Sequence, residues 1–356
     1  MNNKKNWLAM MLALVMILSM VPAVAEAPQT RIFVDDAGRE VEIPAAPLER
    51  IAPSGKVAHI VLSAVAQDKL VCLSNPWTKD AEGFFPEAVL NLPVIGQFYG
   101  DGTLNMEALA ACDPQVIVDI GEMKKTIAED MDAVQQQLGI PVIFIEATME
   151  SMHTCYELLG DLLGTDTDAV VDYCADVYRR TIERMHQIGD DNKIKAVYCL
   201  GADGLSVLGK GSYHAEILDV LIDNAAVIES PSSKAFGDQV DMEQLLLWDP
   251  EFIVFAPDVD MDAVLKDPAW QQLRAVANGN YAIVPAAPFN WMGFPPSVNR
   301  YIGMIWLANR LYPEVFTEDM YHEAKTYYLM FYGYDLSQDK FNELIGVPNV
   351  AVDTAA

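Results

Sequence analysis

Leu104–Gly121, LNMEALAACDPQVIVDIG, decides the fold, because a second version of it, VDMEQLLLWDPEFIVFAP, stands at Val240–Pro257. When Leu104–Val118 is aligned with Val240–Val254, seven of the fifteen positions are identical: Met, Glu, Leu, Asp, Pro, Ile and Val. A long repeat that is used twice, far apart in the chain, favours two similar lobes over a solenoid, which needs many short units.

Each copy of the repeat predicts the same local structure. An acid in the first turn offsets the dipole of a short helix, and apolar residues follow at helical spacing. Asp-Pro ends the helix, because the residue before a proline is disfavoured in the helical region. The apolar run after the proline is typical of a buried strand. Helix and strand in this order, twice, predict two α/β lobes.

The N-terminus has the features of an export signal. Lys4-Lys5 precede an apolar run from Trp7 to Val21, and Ala23-Val24-Ala25 supplies the small residues that a signal peptidase recognises. We therefore expect a cleavable signal peptide over residues 1–25, since the run is short for a membrane span. No cysteine lies near the cleavage point, so we expect no lipid anchor and a soluble periplasmic or otherwise extracytoplasmic protein.

The mature chain is strongly acidic and long. The formal net charge of the full sequence is −28, and it becomes −30 when Lys4 and Lys5 leave with the signal peptide. Such a surface repels nucleic acid and anionic lipid, so neither is expected as a partner. The length suffices for two domains, each with its own core.

One long helix is predicted between the two copies of the repeat, from Asp168 to about Ile188. It would span roughly 30 Å, about the width of a small domain, and so bridge the lobes. We divide the mature chain into an N-terminal lobe (26–160), a linking helix (161–190) and a C-terminal lobe (191–356). An aromatic tail around Tyr327–Tyr334 is predicted to pack back on the C-terminal lobe.

Aromatic side chains lie in or beside the loops that follow predicted strands: Trp77, Tyr99, Tyr213 and Trp291. Open α/β sheets bind ligands at the carboxyl ends of their strands. Any one of these rings by itself is interpreted as packing. Together, from both lobes, they predict a pocket.

The cysteines and histidines predict neither a disulfide framework nor a metal site. The five cysteines (Cys72, Cys112, Cys155, Cys174 and Cys199) are odd in number and form no Cys-x-x-Cys, so buried free thiols are expected. The five histidines are scattered without paired spacing. His59 and His214 each lie near the start of a lobe, and we interpret them as ordinary, partly exposed histidines, a role at a ligand cleft being the alternative.

No catalytic residues are predicted. The chain has no Gly-x-Ser-x-Gly and no linked nucleophile and base, which argues against a hydrolase. Gly204–Gly211 approaches a phosphate-binding loop, but Gly211 stands where the metal-binding Ser or Thr would follow Lys210. Nucleotide hydrolysis is therefore rejected, and only anion binding by backbone N–H groups is retained.

Glu107 and Glu243 occupy equivalent places in the two copies of the repeat. Alone, each acid compensates a helix dipole and contributes about 0.3–1 kcal/mol. Their matching positions also suit a dimeric partner that carries two matching basic sites.

Taken together, the chain resembles the substrate-binding proteins of ABC importers for iron-siderophores, haem and cobalamin. The resemblance covers nearly all of the mature chain and rests on five features: Arg50–Ser54 with the helix after it, Leu70–Ser74, both Glu-containing repeats, Gly209-Lys210-Gly211-Ser212, and Ser297–Pro313. It implies two Rossmann-like α/β lobes joined by one long rigid helix, with the ligand cleft between the lobes. It also implies that Glu107 and Glu243 dock on arginines of the dimeric permease.

The resemblance implies a monomeric receptor that has no cofactor of its own and carries a small-molecule metal complex, as a siderophore or haem-like iron chelate. Ser54, Lys56, Lys210 and Arg300 join the four aromatics as expected ligand-binding residues, with Lys79 more remote. His59 stands where many members carry glutamate, which bears on ligand class. The alternatives are cobalamin, a molybdate or tungstate oxyanion held by backbone N–H groups, and a secreted enzyme that processes a chelate.

Overall fold

Two separate sheets lie at the centres of the two lobes. The structure is a computed structural model and describes residues 29–98, 103–232, 236–293 and 295–346. The strands are β1 Thr30–Val34, β2 Glu40–Pro44, β3 Ile51–Pro53, β4 Val116–Gly121, β5 Val142–Glu146, β6 Lys195–Leu200, β7 Ser206–Val207, β8 Asp223–Asn224, β9 Asp238–Gln239, β10 Phe252–Phe255 and β11 Tyr281–Ile283.

The helices cover the faces of these sheets. They are α1 Lys56–Val65, α2 Glu87–Leu90, α3 Met106–Cys112, α4 Ile127–Leu138, α5 Met152–Leu163, α6 Asp168–Ile188, α7 Glu216–Leu221, α8 Met242–Trp248, α9 Met261–Lys266, α10 Arg274–Ala277, α11 Arg300–Leu311, α12 Met320–Tyr332 and α13 Gln338–Leu344. Across the described ranges, none of them has the length and apolar character that a bilayer crossing requires.

The sheets confirm the predicted two-lobe α/β class. In the first, β3, β4 and β5 are parallel, with β4 in the centre. In the second, the order is β11-β10-β6-β7-β9, with β8 also paired to β6. Its three long strands run parallel, whereas β7 pairs antiparallel to both β6 and β9. β1 and β2 form an antiparallel hairpin before the first sheet.

The two copies of the repeat fold alike. α3 precedes the central strand β4, and α8 precedes β10. The side chains of Asn105 and Asp241 cap the two helices by accepting hydrogen bonds from Ala108 N at 3.0 Å and Gln244 N at 2.7 Å. The predicted helix–Asp-Pro–strand unit is therefore present in both lobes.

The linking helix is present as predicted, but the lobes do not have separate cores. α6 packs against α5, α11 and α7. One hydrophobic cluster runs from Val116 and Ile143 in the first sheet to Val197 and Val254 in the second, and a smaller one covers the other face of the first sheet. The core is continuous because the helices between the lobes bury apolar side chains toward both sheets.

The aromatic tail packs differently from its prediction. α12 lies against α11, as expected, but also against α1 of the N-terminal lobe. Between ring centroids, Tyr332 lies 5.5 Å from Phe85, and Tyr334 lies 4.6 Å from Phe84. These two phenylalanines of the N-terminal lobe give the tail an aromatic surface that the sequence pattern did not indicate.

Candidate ligand-binding cleft

A cavity of about 570 Å³ lies between the lobes. Its N-terminal wall comes from the first turns of α1 and from the loop Asn75–Thr78, and its C-terminal wall from the ends of β6 and β10 and the loop 286–293. These are the carboxyl ends of parallel strands, where open α/β sheets place ligand sites. The volume is within the range of sites for drug-sized molecules and cofactors, roughly 300–1,000 Å³.

Trp77 forms the centre of an aromatic wall. Its ring lies 4.4 Å from Phe85 and 5.8 Å from Phe289 between ring centroids, so the wall joins both lobes. The indole Nε1 donates a hydrogen bond to the carbonyl of Val89 at 3.2 Å. Because that bond and the neighbouring rings fix its orientation, Trp77 presents a rigid apolar face to the cavity.

His59 is the polar group of this wall. It belongs to the first turns of α1, lines the cavity and is 5% exposed. Its ring packs against that of Trp77 in a T-shaped arrangement, with 4.5 Å between the ring centroids. Burial lowers the pKa of His59 to about 4, so the ring is neutral at neutral pH. Its Nε2 is buried and has no hydrogen-bond partner among the described residues.

A buried nitrogen without a partner costs free energy until something pairs with it. The neutral ring carries one N–H donor and one lone pair, and the lone pair is the form that binds metals. His59 is therefore a residue of the cavity wall whose buried Nε2 has an unused capacity for one hydrogen bond or one metal bond.

Asn290 and Tyr198 are the polar pair of the opposite wall. The Asn290 amide donates to the Tyr198 hydroxyl at 3.3 Å, and its carbonyl accepts from Met292 N at 2.8 Å. Both residues line the cavity and are nearly fully buried. Burial raises the pKa of Tyr198, so its hydroxyl stays protonated.

The charged side chains along the described wall are Lys56, Asp80 and Asp258, and His214 also lines it. Asp258 accepts a hydrogen bond from Gly201 N at 3.1 Å, which holds its carboxylate at the end of β6. With two carboxylates and one ammonium, the wall is slightly acidic. The cavity is thus mainly apolar, with a few fixed polar groups.

Of the eight residues expected to bind ligand, Lys56 and Trp77 line the cavity. Tyr99 lies outside the described residues. Ser54, Lys210, Tyr213, Trp291 and Arg300 lie away from the lining. Lys210 forms an exposed ion pair with Asp223 at 3.3 Å.

Ser54 stands at the end of β3, where its hydroxyl donates to the half-buried carboxylate of Asp119. Burial raises the pKa of Asp119 to about 6, against the opposing effects of that hydrogen bond and of Lys124. Trp291 is completely buried, and its Nε1 donates to the Tyr328 hydroxyl at 3.2 Å. Both residues thus have structural contacts in place of a position on the cavity wall.

Tyr213 and Tyr301 join the lobes, and Arg300 holds Tyr213 within the C-terminal lobe. The Tyr213 hydroxyl donates to the carbonyl of Ala147, at the end of the first sheet, at 2.6 Å. Arg300 is fully buried, forms an ion pair with Glu216 at 2.6 Å and lies over the Tyr213 ring at 5.1 Å. The next residue, Tyr301, donates to the carbonyl of Met149 at 2.7 Å. These contacts fix the mutual position of the lobes.

Glu107 and Glu243 are both exposed, each at the second position of its helix. Neither lines the cavity. A docking role remains a prediction.

The interpretation of His59 and His214 as partly exposed side chains is wrong, because both are nearly fully buried on the cavity wall. His59 lies in the first turns of α1, after the parallel strand β3, and His214 lies just before α7; these positions near helix starts were the available signal. Tyr198 and Asn290 were missed, although Asn290 lies in a loop that follows a predicted strand. Their pairing depends on two segments 92 residues apart in the chain.

Residues 74–288 match the protein family described as periplasmic binding protein. The match covers more than half of the chain, and the chain belongs to that family. Its members are solute-binding proteins of ABC importers that act outside the cytoplasm. This is the class that the two lobes and the cleft between them define.

Individual relatives are distant but cover most of the chain. The molybdate-binding protein MolA of Haemophilus influenzae is 22% identical over 333 residues, which are 85% of this chain and 91% of that protein. An ABC transporter solute binding protein from Sulfurospirillum deleyianum superposes with a TM-score of 0.76 at 23% identity, covering 89% and 99% of the two chains. A periplasmic solute binding protein from Veillonella parvula superposes with a TM-score of 0.73 at 22% identity, covering 90% of this chain and 98% of that one. The two structures show the same fold.

Proposed function

We propose that this protein captures an iron chelate in the cleft between its lobes and delivers it to the permease of an ABC importer. The observation that carries the proposal is the unpartnered Nε2 of His59, which is buried beside Trp77 on the cavity wall. A neutral imidazole has a lone pair that can bind a metal ion. The metal ion is cargo here and arrives inside its chelator.

The size and lining of the cavity suit an organic chelator. Trp77 and Phe289 offer flat apolar surface, and Asn290 and Lys56 offer hydrogen bonds. A pocket with apolar walls and a few fixed polar groups is typical of small-molecule sites. Because His59 has a ring nitrogen without a partner, the fitting chelate leaves at least one coordination position of the metal open, as a tetradentate siderophore or a haem-like macrocycle does.

The charged residues of the cavity wall further narrow the class of chelate that fits. Asp80 and Asp258 face the cavity together with Lys56. All three side chains are exposed, so water weakens their interactions with a ligand but does not change the sign: like charges still repel and opposite charges attract. A chelate of zero or positive charge, such as a ferric complex with two hydroxamates, is therefore favoured over a tris-catecholate.

A molybdate or tungstate oxyanion is the second candidate, and the similarity to MolA favours it. Such an anion is much smaller than a cavity of about 570 Å³ and needs converging N–H donors. Arg300 has two buried N–H groups without partners, at Nε and Nη2, but it lies away from the cavity lining. Cobalamin, which also presents a metal coordination position, is the third candidate ligand.

A screen by thermal unfolding tests the proposal. The mature protein is melted with a ferric dihydroxamate chelate, haem, cobalamin or molybdate, since a ligand that binds only the native state raises the melting temperature. We expect the ferric dihydroxamate to give the largest shift and to be recovered unchanged. A shift with molybdate alone would replace the chelate by the oxyanion, and turnover of the chelate would indicate an enzyme.

A further inference from the structure

Phe236 is a large hydrophobic side chain that lines the ligand cavity and yet faces water. It is 74% exposed, and among the exposed large hydrophobic residues of the described chain it is the one that lines the cavity. Isolated hydrophobic side chains on a protein surface are common and need no functional explanation. A phenyl ring at the mouth of a ligand cavity differs from these, because a bound molecule can cover it.

The cavity mouth consists of the exposed residues of the cavity lining. Besides Phe236, the charged side chains of Lys56, Asp80 and Asp258 are exposed there. Trp77, by contrast, is half-buried and belongs to the aromatic wall. The mouth therefore combines charged groups, which water screens, with an aromatic ring that water solvates poorly.

The backbone next to Phe236 is held closely against β7. The following strand, β9, pairs antiparallel with β7. Gly237 has a φ of 64°, and a Cβ atom there would lie 2.3 Å from the carbonyl oxygen of Val207, so only glycine fits. This close approach places Phe236 beside β7, whose Ser206 also lines the cavity.

Hydrogen bonds of neighbouring residues hold this part of the chain in place. The carboxylate of Asp238, at the start of β9, accepts from Ser232 N at 2.9 Å. The Ser206 hydroxyl donates to the Gln239 side chain at 3.2 Å. These bonds do not involve the ring of Phe236. The ring can therefore be changed without removing the contacts that hold the chain.

We propose that Phe236 is a specificity-determining residue that packs against an aromatic ring of the ligand at the cavity mouth. This inference rests on the proposed function and narrows it, because the chelator then carries an aryl group beside its metal-binding groups. Covering the exposed phenyl ring removes apolar surface from water, which favours binding in proportion to the area. An aromatic partner adds to this, since stacked and edge-to-face ring pairs attract each other beyond the effect of area.

Two ferric dihydroxamate complexes that differ only in a terminal substituent, phenyl or methyl, test the inference. Each is titrated calorimetrically into the mature wild type, Phe236→Ala and Phe236→Trp. We expect the wild type to bind the phenyl complex about tenfold more tightly than the methyl complex, a difference of about 1.4 kcal/mol. Phe236→Ala should bind both complexes equally, with the affinity of the methyl complex. Phe236→Trp should keep the preference, because its ring also packs against a phenyl group.

Leu247→Ala is the matched control, because Leu247 is 77% exposed on α8 and does not line the cavity. It should keep the preference of the wild type, and loss of the preference in this variant would contradict the role of Phe236. Equal affinity of the wild type for the two complexes, or a preference that persists in Phe236→Ala, would overturn this inference alone. Failure of both complexes to bind the wild type would overturn the proposed function with it.

Discussion

Asp113 and Asp249 adopt the same left-handed backbone conformation at equivalent ends of the two repeated helices. Their φ and ψ angles are 46° and 56° for Asp113 and 42° and 66° for Asp249, and they are the non-glycine residues of positive φ in the described chain. Each also pairs with an arginine, Arg50 at 2.8 Å and Arg274 at 2.7 Å. The repeat thus extends to an unusual backbone conformation, and each aspartate has an arginine partner from outside the repeat.

The left-handed conformation predicts the effect of substitution at both sites. A side chain without local hydrogen bonds is strained there, whereas glycine is not. Asp113→Gly should therefore be more stable than Asp113→Ala by about 1 kcal/mol, and the same difference should hold at Asp249. Both variants lose the arginine partner, so chemical denaturation of the pair isolates the backbone effect. Equal stability of the Gly and Ala variants would contradict the assigned conformation.

His59 predicts a loss of stability in acid. Its pKa is 6.5 in the unfolded chain and about 4 in the fold. The unfolded state thus binds more protons between these values, and stability that is complete above pH 6.5 falls as the pH drops toward 4. Relative to His59→Gln, the wild type should lose up to about 3 kcal/mol of unfolding free energy across this range.

The comparison must be made between variant and wild type because Asp119 acts in the opposite sense. Its raised pKa, about 6 against 3.8, makes the fold lose stability as the pH rises over an overlapping range. Since Asp119 is present in both proteins, its contribution cancels in the difference. Parallel pH profiles of His59→Gln and wild type would show that His59 is not buried as described.

The hydroxyls of Tyr213 and Tyr301 predict how rigidly the lobes are joined. Each donates to a carbonyl of the other lobe, so Tyr213→Phe and Tyr301→Phe should each cost about 1–3 kcal/mol by leaving a buried carbonyl without its donor. Tyr312→Phe is the matched control, because its hydroxyl donates to Leu221 at 2.7 Å within the C-terminal lobe. Small-angle scattering should show broader lobe separation for the first two variants only. If the control broadens equally, the tyrosines do not join the lobes.

Glu107 and Glu243 predict a separation of transport from binding. Reversing both charges should abolish uptake of radiolabelled iron chelate by cells that carry the importer, while ligand affinity in solution stays unchanged, because neither residue lines the cavity. Glu129→Lys removes an acid from the first turn of α4 and controls for the helix dipole. Lost affinity in the double variant, or lost uptake with Glu129→Lys, would argue against a docking role.

The sequence was sufficient for the lobes and for much of the secondary structure. The repeat around Glu107 and Glu243 and the apolar stripe of the long helix have local periodicity. Such periodicity can be recognised in the sequence without knowing how the chain packs. The continuous core and the contact of the aromatic tail with Phe84 and Phe85 depend on segments far apart in the chain. Those could not be read from spacing.

The residues of the site show the same contrast between local sequence features and long-range contacts. Trp77 lies in the loop after the predicted strand Leu70–Ser74, and the strand–loop rule placed it on the cavity wall. Lys56 was expected there as a basic residue. Tyr213 and Trp291 satisfied the same rule, and Arg300 was expected as a basic residue. The side chains of all three turn inward to hydrogen bonds and ion pairs that the sequence does not show. His59 was set aside because burial, which decides its chemistry, is a tertiary property.

Calorimetric titration of the mature protein with the ferric complex of a tetradentate dihydroxamate tests the central claim most directly. Wild type is compared with His59→Gln and with His322→Gln, which changes an exposed histidine of α12. We predict that His59→Gln weakens binding at least about tenfold, or 1.4 kcal/mol, with loss of the shift in the iron absorption band, and that His322→Gln binds like the wild type. Equal affinity and equal spectra for all three proteins would contradict coordination of the chelate by His59.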